Sequence, residues 1–378
     1  MKLLDRYIIR QFCVNFAILL VVLLLLFIAV DLMVNLDEFL EAGRVRADRF
    51  GGVVLGTLYS IFDYYYPLAV LLYVFFSGLV IVAAMGFTFA HLHRQRELTA
   101  MLASGVSLYR VAMPVVVVGI AFNALALPAR EFIIPAVAGK LLRSSGDVKH
   151  GSMQAFPVRF AADGNALLTA GRFHPDTNTL DDVIIRTRNE QKLPTQRISA
   201  DAARWNDEKG GWRLENVTVE RLAARGAGEA GGGVQQRGDY FYQSVLSPEV
   251  LVSRRASNYT NFMAIAKLQR LQRKLADNTR AVSADLQAQI VQALWSRFSL
   301  LVLNVLVLVM ALPFFLRRSP VSMLGQAIKA AGLVLGVWGG GVVLLQTPTG
   351  VVSPVVAAWL PVVLCLPLAA ILLQLIRT

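Results

Sequence analysis

Six stretches of the chain are apolar for about the length of a bilayer crossing: residues 12–34, 67–90, 111–127, 298–316, 323–345 and 355–376. A helix rises 1.5 Å per residue, so a hydrocarbon core of about 30 Å takes about 20 of them. The six fall into two groups of three. Between the groups, short runs at 165–172, 180–188, 195–205 and 211–221 alternate apolar and polar positions, and Asp163-Gly164, His174-Pro175-Asp176 and Lys209-Gly210-Gly211 break them. Period-two runs with turn residues between them predict an antiparallel domain of sandwich or jellyroll type. Such alternation puts every second side chain on the core face, with Leu167, Ile184, Ile198, Leu214 and Val217 as inward-facing candidates. From about 258 to 295 the pattern is helical again, with Leu268, Leu271 and Leu275 three and four residues apart, which predicts an amphipathic connector into the fourth span. The predicted fold is an α-helical membrane protein with six transmembrane helices plus an antiparallel β-jellyroll domain. Its parts are 1–130 with spans one to three, 131–257 with the β domain, and 258–378 with the connector and spans four to six.

Composition supports lipid as the main solvent: 56% of the 378 residues are hydrophobic, above the 45–50% usual for soluble chains. The net charge of +12 would suggest nucleic acid in a soluble protein, but here Lys and Arg gather at the ends of apolar runs, where they set orientation. Lys2, Arg6, Arg10, the 91–96 segment, Arg317, Arg318, Lys329 and Arg377 all fall on one side if both termini are cytoplasmic. Arg254, Arg255, Lys267, Arg270, Arg273 and Lys274 fall on the other side, which a long translocated domain tolerates. The run at 12–34 is too long for a signal-peptide core and reads as a retained span. Tyr64, Tyr65 and Tyr66 suit an aromatic belt at the outer interface.

Catalytic signatures are lacking. Cys13 and Cys365 sit in apolar runs, and His91 with His93 has no further ligand candidate beside it. The glycine-rich 226–233 stretch lacks the Gly-Lys-Ser/Thr ending of a phosphate loop and reads as a hairpin tip. Asp31 and Asp63, near span ends, read as interfacial. No metal or cofactor is expected in this chain.

The segment from His91 to Gly105 is the most informative. On a helix Leu98, Met101, Leu102 and Gly105 share a face, flanked by Glu97 and Ser104, with Arg96 nearer the other side. A short amphipathic helix of this kind docks into a groove on a peripheral partner, Glu97 pairing a partner Arg, or lies on the membrane with Arg94 and Arg96 as topology signals. In span five, Gly332, Gly336 and Gly340 recur every four residues and would let another helix approach closely, within the subunit or at an interface with a partner.

Leu4-Asp5-Arg6-Tyr7, Tyr66-Pro67-Leu68, the run from Arg96-Glu97-Leu98-Thr99-Ala100-Met101 to Gly105, and Arg297 with Pro313 in the fourth span together resemble the LptF/LptG family of lipopolysaccharide export permeases. The opening leans towards LptG. The resemblance implies a bacterial inner-membrane permease paired with the other LptF/LptG-type subunit and driven by an LptB-like ATPase dimer that holds ATP and Mg. The β-jellyroll would pass lipopolysaccharide or a related lipid to LptC- and LptA-like proteins. By the same carry-over the 91–108 segment is the coupling helix, with Glu97 against the ATPase and Leu98, Met101 and Gly105 forming the seat.

Two departures bear on the lipid headgroup: Leu40 and Glu41 stand where some LptG proteins carry adjacent lysines, and Phe298-Ser299-Leu300 follows Arg297 without the frequent proline. Arg44, Arg46 and Arg49 offer bidentate phosphate contacts instead, or form a loop neutralised by Asp37, Glu38, Glu41 and Asp48. The resemblance places span five at the subunit interface, beside span one. A rival function is a membrane scaffold or sensor whose β domain binds a periplasmic partner. The four-span efflux and lipoprotein-release permeases fit less well, because their large domain follows span one.

Overall fold

The computed structural model describes residues 3–141, 155–163, 165–189, 194–221, 234–244, 246–255, 262–276, 284–316, 323–346 and 353–374. Arg317, Arg318, Arg377, the 226–233 glycines and Asn258 lie outside them. In chain order come α1 (Leu3–Val45), α2 (Ala47–Phe50), α3 (Val53–Arg94), α4 (Glu97–Ala103), α5 (Leu108–Ala124), α6 (Ala126–Pro128), a π-helical turn (Ala129–Ile133) and α7 (Ile134–Leu141). Then follow β1 (Phe156–Asp163), β2 (Ala166–His174), β3 (Thr179–Arg188), β4 (Pro194–Asn206), β5 (Gly211–Arg221) and β6 (Val234–Gln243). The chain ends with α8 (Pro248–Arg255), α9 (Ile265–Ala276), α10 (Ala284–Phe315), α11 (Met323–Gln346) and α12 (Pro354–Gln374).

Among the described residues six helical stretches are long and apolar enough to cross a membrane, and the chain is a multi-pass membrane protein. The second span does not begin at Pro67, because α3 starts at Val53 and carries that proline in its interior. Pro114, Pro313, Pro361 and Pro367 are also inside helices. Neighbouring helices in a membrane re-satisfy the carbonyl that each proline frees, so the ring does not terminate the element. In the connector region α9 covers Ile265–Ala276, and α10 runs from Ala284 unbroken through the fourth span.

Two compact units share the chain: Met1–Leu36, Ile61–Ala136 and Val291–Thr378 form one, and Asp37–Ser60 with Val137–Ile290 the other. The first holds an apolar core to which α1, α3, α4, α5, α10, α11 and α12 all contribute. A polar spine crosses it. Asn123 Nδ2 donates to the Leu301 carbonyl at 2.8 Å, Asn304 Nδ2 to Asn123 Oδ1 at 3.0 Å, and Trp338 Nε1 to Asn304 Oδ1 at 3.1 Å. These bonds join α5, α10 and α11, and a Cβ on Gly78 of α3 would collide with Asn304. In an apolar medium few competing partners exist, so such bonds fix helix register.

Asp31 accepts from the Tyr65 hydroxyl at 2.7 Å and from Asn35 Nδ2 at 3.1 Å. Asn35 also donates to the Asp31 carbonyl at 2.9 Å, and its backbone (φ −112°, ψ 18°) kinks α1. A side-chain amide that bonds the preceding turn competes with the helix ladder, which accounts for the kink.

In the second unit α1 and α3 approach so closely that a Cβ on Gly43 would overlap Thr57, and one on Gly56 would reach the Gly43 carbonyl. The six strands form one open antiparallel sheet in the order β1-β2-β3-β4-β5-β6. Its two edge strands meet at one end, where Ser244 Oγ, just after β6, donates to Asp163 Oδ2 of β1 at 2.6 Å. Burial, with Asp163 beside it, pushes the Tyr242 phenol well above its ordinary pKa, so it stays a neutral donor there.

A crease runs across the sheet. Gly171, Asp182, Asp201, Asn216 and Gly238 all fall in the gaps of the ladders: between Ala170–Val183 and Arg172–Asp181, between Val183–Ala200 and Asp181–Ala202, and between Glu215–Asp239 and Val217–Arg237. Asp182 and Asn216 both have φ of 53°, a left-handed conformation that short polar side chains tolerate. All five are exposed. On either side the buried residues lie three apart instead of two: Ala170 and Phe173, Leu180 and Val183, Ala200 and Ala203, Leu214 and Val217.

Candidate functional site

At the end of α3 the chain reverses through Gln95 and Arg96, and Arg96 adopts φ 59°, ψ 11° to start α4. The coupling segment expected over 91–108 is thus the tail of α3, this tight turn, and a helix of seven residues. Its other end closes in a Schellman motif: the Val106 N–H donates to the Met101 carbonyl at 3.1 Å and that of Gly105 to Leu102 at 3.0 Å. Gly105 is exposed and has φ 83° with open space where a Cβ would stand, so the residue type there answers to backbone conformation.

The apolar face of α4 turns into the chain's own core. Leu98 is fully buried, and Met101 and Leu102 pack against the same cluster as Ile8 and Phe12 of α1, Leu92 of α3 and Leu108 of α5. Of the expected seat, Leu98 is thus enclosed within the chain and fixes the helix to the spans, while Met101 is half-buried and Gly105 exposed. Outward α4 presents Thr99, Ala100 and Ala103, with Arg96 exposed at its start and Glu97 half-buried, its Oε1 accepting from the Tyr7 hydroxyl at 3.1 Å. Tyr7 carries no sequence signal for this contact, which joins residues ninety positions apart. Nearby, His93 Nε2 lies 3.2 Å from the Phe315 carbonyl oxygen, linking the ends of α3 and α10.

Gly332, Gly336 and Gly340 are exposed, with nothing within 4 Å of where a Cβ would stand. Gly341, by contrast, abuts Leu303 and Pro361. The three spaced glycines therefore do not serve packing among the described residues. On α1, no residue of the most apolar stretch is buried within the chain. An apolar cavity of about 300 Å³ opens between α3 and α11, lined by Ala83, Gly86, Phe87, Ala331, Val334 and Leu335 among others.

The three arginines beyond span one are differently engaged. Arg46 Nη1 donates to Ser60 Oγ at 2.6 Å, the Arg49 guanidinium lies 6.0 Å from the Phe50 ring centre, and Arg44 is exposed. Arg297 is only 2% exposed, with Nη1 3.6 Å from Glu131 Oε2 in the π-helical turn. Pro128, lacking an N–H, leads into that turn.

Of the five inward-facing candidates in the β domain, Ile198, Leu214 and Val217 are buried. Leu167 and Ile184 are only half-buried, and the core positions beside them are Leu168, Val183 and Ile185. Their side chains belong to the other face, because in β2 and β3 the alternation runs in the opposite phase to the one assigned. Leu214 and Val217 share the core face across an odd spacing only because the crease at Asn216 lies between them.

Among the described residues no group of three or more His, Cys, Asp or Glu side chains could hold a metal ion. A family model described as lipopolysaccharide export system permease LptF/LptG matches residues 6–375, nearly the whole chain. No curated relative matches it.

Proposed function

Because this chain belongs to the LptF/LptG family of lipopolysaccharide export system permeases, we propose that it is one permease subunit of an ATP-driven exporter in the bacterial inner membrane. Both termini and α4 face the cytoplasm, and the β domain faces the periplasm. The observation that carries the reading is the placement of α4. One face shares a core with the ends of the spans while the other is exposed, so a force applied to α4 is passed to the transport helices.

That force has to come from another chain. Drawing a multi-acylated lipid out of a bilayer is uphill, at about 0.8 kcal/mol for each methylene exposed. The sequence carries no Gly-Lys-Ser/Thr phosphate loop. An LptB-like ATPase dimer, holding ATP and Mg, docks on α4 with a basic group against Glu97. The second LptF/LptG-type subunit seats on the open glycine face of α11 and on the unburied stretch of α1, where small residues let a helix approach closely. The cavity between α3 and α11 suits an acyl chain, and the β domain hands the lipid on to LptC- and LptA-like proteins.

Glu97→Arg tests the coupling. Reversing the charge against a basic docking groove is expected to lower ATP-driven lipid release by the reconstituted complex more than tenfold, as truncating one partner of a buried interface pair does. Membrane insertion of the chain should be unchanged. Normal ATP hydrolysis and lipid release by the assembled variant would overturn the assignment and leave α4 as a membrane-surface helix.

A further inference from the structure

The hydrogen bond from Tyr7 to Glu97 joins the first turns of α1 to the first residue of α4. Leu4, Ile8 and Phe12 on the α1 side and Leu98, Met101 and Leu102 on the α4 side belong to one core, so the bond sits at the rim of an apolar contact that fixes both backbones. The left-handed Arg96 fixes the residue at which α4 begins. Glu97 Oε1 accepts from Tyr7, while Oε2 is enclosed and has no donor among the described residues.

We propose that Tyr7 is a positioning residue for energy coupling: its hydroxyl holds the Glu97 carboxylate with Oε2 enclosed and Oε1 at the exposed rim, where Oε1 keeps a second lone pair to accept from a cationic donor on the ATPase. The inference rests on the reading of Glu97 as the docking contact. A glutamate free to rotate loses rotamer entropy when it docks, and one already held by a tyrosine has lost that freedom beforehand. The same bond ties α4 to the base of α1, so docking at Glu97 bears directly on that span. Tyr7 is 40% exposed and its hydroxyl is the group that bonds the carboxylate, which makes the hydroxyl removable without disturbing the core.

The test uses the assembled complex of this chain, its permease partner and the ATPase, with ATP turnover followed as the ATPase concentration is varied. Tyr7→Phe keeps the ring and removes the donor. It is expected to raise the half-saturating ATPase concentration about three- to tenfold, the size of the ordering cost of one side chain, with maximal turnover and thermal stability unchanged. In a Glu97→Ala background the same change should have no further effect, because the two residues act as one unit. Glu97→Met, which keeps the length of the side chain and removes the acceptor, serves as the second background if the alanine form does not assemble.

A silent Tyr7→Phe beside a damaging Glu97→Ala would overturn the role of Tyr7 and leave the docking role of Glu97 standing. An equal loss in both backgrounds would overturn it too, since Tyr7 would then act on folding alone. If Glu97→Ala is itself silent, both readings fall.

Discussion

Gly105 and Arg96 bracket α4, and both have positive φ, but only one is a glycine. At Gly105 a side chain would meet open space, so substitution there changes backbone preference and nothing else. Gly105→Ala is expected to cost about 1 kcal/mol, the penalty for an L-residue in the left-handed region. A lowered thermal transition of the purified complex would show it, whereas an unchanged transition would mean that the Schellman closure does not hold α4 in place. Arg96 bears the same kind of penalty in the native chain, and strain of this sort persists where the surroundings fix it. Gly105 stood out in the sequence as part of a motif, but its reason, a φ of 83°, is conformational and has no counterpart in residue type or spacing alone. Tyr7 was legible only as one letter of a resemblance.

At the scale of elements, the helices followed directly from their apolar length, since lipid leaves a spanning segment few alternatives. The strands were found by alternation, but their phase was not. Alternation over a few residues fixes which positions share a face and leaves open which face is the core, and a one-residue slip exchanges the two. Leu167 and Leu168 are both leucines, so composition cannot choose between them. The crease adds a second difficulty, because strict period two cannot place both Leu214 and Val217 inside. Asp182, Asp201 and Asn216 break the runs at aligned positions, a signal that is visible only once the strands are paired. The assignment is testable by contrast. Leu168→Ala, at a fully buried site, is expected to cost about 2–5 kcal/mol. Leu167→Ala, half-buried on the other face, should cost well under half of that. Limited proteolysis of the β domain in the intact chain would rank the two, and equal sensitivity would contradict the assigned faces.

For the whole molecule, the orientation proposed here has one direct consequence. Thr177, exposed in the turn between β2 and β3, is expected to be labelled from the periplasmic side when replaced by cysteine in a chain otherwise freed of Cys13 and Cys365. Labelling from the cytoplasm alone would reverse the topology and remove the function with it. The glycine face of α11 carries a consequence of another kind. Glycine inside a helix costs about 0.5–1 kcal/mol relative to alanine, so Gly332, Gly336 and Gly340 together take roughly 1.5–3 kcal/mol from a helix whose open side meets nothing among the described residues. A copy without its mate thus displays a glycine-weakened span outward, in a membrane where a frayed turn exposes backbone that lipid cannot satisfy. Orphaned and assembled subunits then differ in the feature a membrane protease attacks, a helix that unwinds, and matching the two permeases in number becomes a matter of which copies survive.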